Sequence, residues 1–370
     1  MKASTEGRRG QFSDDIVSGM STLDKIFYAL LVFIPAAIVA YVLSMPALVV
    51  FACAALAIIP LAKLIGESTE ELTTYTGAAV GGFLNATFGN APELIIAAFA
   101  LNAGLIDVVK ASITGSILSN LLLGLGLAIF LGGTRHKHQK FNATAAKASG
   151  STLLLAVSAL IVPAIFVATD GTVTGLHIED ISVIVALLLI VAYIASLFFT
   201  LWTHQHLYVR EIASYEPRWS KWRSIVILLT ATLAIAAMSE ILVSSIEPVV
   251  AILGWSQVFI GIVILSIIGN VAEFASAIRV ALKDNMDLAF QVAIGSATQI
   301  AMFVAPVLVL VSFFFKTQMT LIFGTFELVA LILAVLIVDT IVEDGESNWF
   351  EGMLLLVAYA IIATAFFFYH

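Results

Sequence analysis

Apolar residues run in blocks of roughly twenty, separated by short polar segments, from Ile26 almost to the C-terminus. A helix rises 1.5 Å per residue, so about 20 apolar residues cross the ~30 Å hydrocarbon layer of a bilayer. The blocks predict eleven helical spans, at 26–45, 47–66, 72–103, 106–132, 149–169, 180–203, 224–244, 256–282, 287–315, 320–340 and 349–369. Spans three and eight are longer than a crossing needs and are interrupted by Gly and Pro, which predicts tilted or broken helices. The expected fold is therefore all-α and polytopic. A polar cytoplasmic tail over 1–25 and a first transmembrane helix over 26–45 come first. Five-helix units follow over 46–203 and 224–370, joined by a linker over 204–223.

Two polar interruptions match. Span three carries Gly89-Asn90-Ala91-Pro92-Glu93 and span eight carries Gly269-Asn270-Val271-Ala272-Glu273. Adding 180 to the residue number also pairs Gly81 with Gly261, Asp107 with Asp287, Gly115 with Gly295 and Ser116 with Ser296, without a gap. Shared Asn, Glu, Asp and Ser in one register imply internal duplication. An ionisable residue at mid-membrane costs roughly 2.5–3.5 kcal/mol on insertion scales, so two in matching surroundings point to a buried cation site.

Charge gives the orientation. With the N-terminus in the cytoplasm, all 17 Lys and Arg except Lys110 and Lys316 fall on the inner side, as the positive-inside rule requires. The C-terminus is then outside. Glu93 and Glu273 lie an odd number of spans apart, so their units cross the membrane in opposite directions. Inverted-topology repeats of this kind are a hallmark of secondary transporters, with the substrate held between the repeats near the midplane.

Composition excludes a soluble domain: 61% of the 370 residues are hydrophobic and 11% are charged, against about 25% charged in soluble domains. The single cysteine, Cys53, excludes an intrachain disulfide. No nucleic-acid partner is expected, the bilayer being the surrounding phase, and oligomeric state is not legible. No His-Glu-x-x-His or comparable catalytic pair occurs, so the chain does not read as an enzyme and no cofactor is expected. His136, His138, His204 and His206 fall in basic loops and read as ordinary loop residues.

Residues three apart share a helix face, so Asn90 with Glu93, and Asn270 with Glu273, present amide and carboxylate together. Two such faces meeting supply the oxygen ligands that hard cations such as calcium need. Neither motif holds Cys or His, which argues against zinc or copper. Pro92 lacks an N–H, leaving the Phe88 carbonyl available to the ion. Gly89 and Gly269 are candidate backbone contributors to the site, and with Gly81 and Gly261 they read first as places where helices approach closely. Ser116, Ser296 and Gln299, with Ser119, Asn120 and Thr298 beside them, are candidate further ligands. Glu70 and Glu240, near the ends of spans two and seven, are candidate relays for protons or ions, with solvated span ends as the other reading. Glu327 and Asp339 read as interfacial residues flanking span ten.

On these residues the chain resembles the calcium/proton antiporter family of the calcium/cation antiporter superfamily. The resemblance is carried by Gly82 to Leu94, Gly115 to Leu121, Gly269 to Glu273, Gly295 to Ala301 and Asp344-Gly345-Glu346-Ser347-Asn348-Trp349. It implies that Glu93 and Glu273 bind calcium and alternately accept protons, and that polar groups of spans three, four, eight and nine complete the site. The chain departs from the family where Phe274 stands in place of the common His after the second glutamate, and Pro92 in place of Thr before the first. The expected function is export of cytoplasmic Ca2+ in exchange for H+, with both ions as transported partners, in a prokaryotic plasma membrane. A vacuolar membrane, a sodium- or potassium-coupled exchanger on the same scaffold, and a cation channel remain as alternatives.

Overall fold

The computed structural model describes residues 22–169, 175–204 and 217–369. His206 and most of the tail and the linker lie outside them. Nine helices among the described residues are long and apolar enough to cross a membrane. They are α1 (Asp24–Val42), α2 (Ala47–Thr76), α5 (Ile106–Arg135), α6 (Ala143–Thr169), α7 (His177–Thr203), α8 (Lys221–Leu253), α9 (Gln257–Ala281), α10 (Met286–Ser312) and α12 (Trp349–Phe367). Between them lie α3 (Ala78–Phe88), α4 (Ala91–Asn102) and α11 (Thr325–Ile341).

The expected third span is the last turn of α2 together with α3 and α4, and it is broken twice. Gly77 adopts φ +83° between α2 and α3, a backbone conformation open to glycine at little cost. The chain then breaks at Gly89–Asn90, where Pro92 occupies the first turn of α4, the one place in a helix where its missing N–H costs nothing. The second span corrects its expected end: α2 runs ten residues beyond 66, so Glu70 and Glu71 sit on a helix and not in a connecting loop.

Helices in lipid gain little from apolar contact alone, so close packing at small residues matters. A Cβ added at Gly115 of α5 would strike the main chain of Ile262 in α9, and one at Gly261 would lie 2.5 Å from Ala111 Cβ. Gly133 approaches Trp349 in the same way, and Gly352 approaches Phe130, which seats α12 on α5. The most apolar stretch of α5 is 83% buried against 17% for α1, making α5 the central helix and α1 a peripheral one.

Two helices widen into π-helical turns, at Ser119–Gly124 in α5 and at Ile300–Val304 in α10. These runs stand 180 residues apart within one position. Two more occupy Phe199–Thr203 in α7 and Ile260–Leu265 in α9. Such turns free backbone groups and occur often at functional sites. Strands β1 (Gln139–Lys140) and β2 (Glu346–Ser347) pair antiparallel at one end of the bundle.

Candidate cation site

Four elements meet at the two Gly-Asn-x-x-Glu segments: the start of α4, the middle of α9, and the π-helical turns of α5 and α10. Asn90 stands before the first turn of α4 without capping it. Its Nδ2 instead donates to Gln299 Oε1 at 2.5 Å, tying α4 to α10. Asn270 mirrors this across α5: it accepts at Oδ1 from Asn120 Nδ2 at 2.7 Å and donates to Ser116 Oγ at 3.0 Å. Asn90, Asn270, Ser116 and Asn120 are all buried, at 3% exposure or less.

The two carboxylates belong to facing motifs. Glu93 reaches the opposite motif, where a Cβ at Gly269 would stand 2.8 Å from Glu93 Oε1. Glu273 shares a cavity wall with Ser296 and Gln299. Glu93 Oε2, Glu273 Oε2 and Asn90 Oδ1 are sheltered from solvent without a hydrogen-bond partner. An unmet buried acceptor costs roughly 1–3 kcal/mol, more when charged. Three such oxygens, two of them from carboxylates, fit a divalent cation in charge and donor type.

The surroundings of the two acids differ. A cavity of ≈ 420 Å³ reaches Glu273, with Gly89, Gly269, Ser296 and Gln299 on its wall. The pocket at Glu93, lined by Ser112, Ser116, Leu265 and Val304, measures ≈ 10 Å³, room for about one water. The large cavity is also walled by Leu288, Gln291, Val292 and Gly295 of α10. Their counterparts 180 residues earlier, Val108, Ala111, Ser112 and Gly115 of α5, are held against Gly261 and Ile262 of α9. On the α3 side Gly81 packs against Thr73, and a Cβ at Gly295 would meet nothing within 4 Å.

Among the candidates, Glu93, Glu273, Asn90, Asn270, Gly269, Ser116, Ser296 and Gln299 are thus gathered in one region. Gly89 lines the cavity, and Phe88 closes α3 directly before it. Glu70 is exposed along the cavity wall. Glu240, exposed on α8, lines none of these cavities. Glu327, at the start of α11, is 6% exposed and accepts the Gly324 N–H at 2.7 Å, closing the first turn of that helix. Sequence reasoning passed over the ionic cluster beside the cavity. There Lys63 pairs with Glu67 and with Asp24 at 3.0 Å, and Arg279 reaches Asp24 at 3.3 Å. The i, i+4 spacing of Lys63 and Glu67 was its one legible sign.

Phe274 explains itself. Its ring lies on Gly124 of the α5 π-helical turn, where an added Cβ would stand 2.5 Å from Phe274 Cδ1. The side chain is 6% exposed and fills a groove beside the site. Gly124→Ala is expected to lower thermal stability by about 1–3 kcal/mol through overpacking. Gly124→Ala with Phe274→Leu should recover most of that loss, which a melting curve of the purified protein measures.

The chain matches the sodium/calcium exchanger protein family over residues 46–202 and 223–368. It is 47% identical to a Ca(2+)/H(+) antiporter of Synechocystis over 95% of this chain and 99% of that one. It is 44% identical to the Ca(2+)/H(+) antiporter ChaA of Bacillus subtilis, over 93% and 99%. The solved structure of native YfkE superposes with a TM-score of 0.82 at 41% identity, covering 92% of this chain and 99% of that one. The crystal structure of the H+/Ca2+ exchanger CAX, at 16% identity and a TM-score of 0.71 over 94% and 92%, shares the fold.

Proposed function

This chain belongs to the sodium/calcium exchanger protein family, within its calcium/proton antiporter group, and we propose that it moves Ca2+ out of the cytoplasm in exchange for H+ at a site built on Glu93 and Glu273. The observation that carries the reading is the set of three sheltered, unpartnered oxygens on Glu93, Glu273 and Asn90. Two carboxylates balance the charge of one divalent ion, and the amides of Asn90 and Asn270 with the hydroxyls of Ser116 and Ser296 surround them. Without the ion, mutual repulsion at low dielectric is relieved by protons on the same oxygens. A loaded or protonated site can cross, whereas two bare carboxylates in a dry site cannot. Exchange then follows from competition, with no separate gate for each ion.

Eleven spans result when α3 and α4 count as one broken crossing and α11 as a short one. Residues 46–203 and 224–370 are then inverted repeats, with the N-terminus inside and the C-terminus outside. The repeated register of the π-helical turns in α5 and α10 supports this reading. Lys63, Arg218 and Arg279, all inner-side residues by the charge rule, line the large cavity, so in this arrangement Glu273 faces the cytoplasm. Alternating access follows from exchanging the two halves: α3 closes onto α10 as the start of α9 now closes onto α5, and the start of α9 moves off α5. Glu70, on the cavity wall, is placed to pass ions toward Glu273. The bacterial relatives favour a prokaryotic plasma membrane.

The test is calcium accumulation by proteoliposomes under an imposed pH gradient, without sodium or potassium. Uptake that collapses with a protonophore is the expected result; uptake that demands sodium assigns the counter-ion differently, and single-channel currents without proton movement assign a channel. Competition also fixes a sign. Metal binding to these carboxylates releases protons, so lowering pH on the loading side should raise the KM for calcium, by about tenfold per pH unit for each proton displaced. Initial rates measured between pH 6 and 8 check this, and a pH-independent KM would refute shared oxygens.

A further inference from the structure

The connections before α6 and α11 stand in the same 180-residue register: Gln139 with Met319, Phe141 with Leu321, and Asn142 with Ile322. Both fold back over the bundle as straps, at opposite ends of α5. The first lies on the turn between α9 and α10. Gln139, 1% exposed, donates from Nε2 to Ala281 O at 2.8 Å and to Asp284 Oδ1 at 3.0 Å. The Asn142 N–H donates to Asp287 Oδ1 at 2.6 Å, and the Phe141 ring packs on Phe290 with centroids 4.3 Å apart. Pairing of β1 with β2 holds this strap from behind.

The second strap lies over the start of α5. Lys110, the counterpart of Phe290, donates from Nζ to Ile322 O at 2.7 Å and to Thr320 Oγ1 at 3.3 Å. Met319 and Leu321 are buried, and their N–H groups donate to Ser312 Oγ and Ser182 Oγ. The two straps are thus held at matching ends of the repeat by different bonds. The Ala281 carbonyl accepts the Asp284 N–H at 3.0 Å, and Gln139 adds a second donor to it two turns beyond Glu273. Lys110 lies six residues before Ser116 on the helix that faces Glu93.

We infer that Gln139 and Lys110 are positioning residues: each pins one end of a glutamate-bearing hairpin, α9–α10 by Gln139 and α4–α5 by Lys110, so that both carboxylates keep a fixed frame while α3 and the start of α9 move. The inference rests on the transport reading above, and it adds which parts stay still. Neither residue touches the ion.

Gln139→Glu keeps the shape and removes the donor. It should speed amide hydrogen exchange across Leu282–Asp287 and raise the KM for calcium, each by about tenfold, the scale of one lost buried hydrogen bond, with Vmax within about twofold. Gln139→Leu should behave alike. Lys110→Met should raise KM similarly and speed exchange over Leu105–Val109, and Lys110→Arg, which keeps a donor, should restore both. Unchanged exchange and KM in Gln139→Glu and Lys110→Met, in protein whose unaltered form transports calcium, overturn the clamps. Faster exchange spread over the whole chain, or a fall in Vmax at constant KM, also overturns them by marking general loosening. Failure of the unaltered protein to take up calcium refutes the transport reading instead, while the exchange measurement still decides on the clamps.

Discussion

Glu93→Gln and Glu273→Gln are each expected to abolish pH-driven calcium transport, by at least about 100-fold. Either variant keeps the size and hydrogen-bonding reach of the side chain but removes one of the two charges that balance a divalent ion. The remaining carboxylate leaves the bound ion with a net positive charge in a site sheltered from water. Breaking a buried charge pair typically costs about 3–5 kcal/mol, or roughly two to three and a half decades of affinity. Each variant keeps one carboxylate that takes up protons, so the pH response of any residual rate should weaken without vanishing. The measurement is calcium uptake into proteoliposomes at matched protein content, with folding checked by size-exclusion profile. Full transport by either variant would remove that glutamate from the mechanism. Asn270→Ala serves as a graded control: it deletes one neutral oxygen and the bonds to Ser116 and Asn120, so KM should rise while uptake stays measurable.

The pair of motifs was legible because membrane burial makes polar residues expensive, so each Asn and Glu inside an apolar block carries information. The 180-residue register was legible for the same reason, and it extends further than the matched residue types: to the π-helical turns and to the two straps. There the residues and their bonds differ, Gln139 reaching Ala281 and Met319 reaching Ser312, while both connections fold back over the bundle. Only coordinates reveal that kind of repetition. The break between α2 and α3 was missed because Glu67, Glu70 and Glu71 make the end of α2 look like a loop. On the folded chain Glu67 pairs with Lys63, Glu70 faces the large cavity, and Glu71 accepts the Trp219 N–H at 3.2 Å. Hydropathy alone cannot register partners supplied by remote elements.

Gly295→Leu is expected to fold normally and yet to lose most transport. The glycine faces the cavity, with nothing within 4 Å of an added Cβ, so a leucine costs little in the present arrangement. In the opposite arrangement proposed above, α3 would cover that surface, as α9 now covers Gly115, whose added Cβ would strike the main chain of Ile262. Overpacking of about 1–3 kcal/mol against the closed state shifts its population by about 5- to 150-fold, and a cycle that must visit both states slows accordingly. Gly115→Leu carries the opposite bias, because it obstructs the contact that exists now. A cysteine introduced by Ser276→Cys on the cavity wall, with Cys53→Ser, reports which state prevails through its alkylation from the cytoplasmic side. Gly295→Leu should leave that labelling at least as fast as in the parent, and Gly115→Leu should slow it. The two variants then fail in transport while moving the labelling in opposite directions, which loss of folding cannot mimic. Normal transport by Gly295→Leu would mean that α3 never docks on α10 at this point, and the exchange of halves would need another surface.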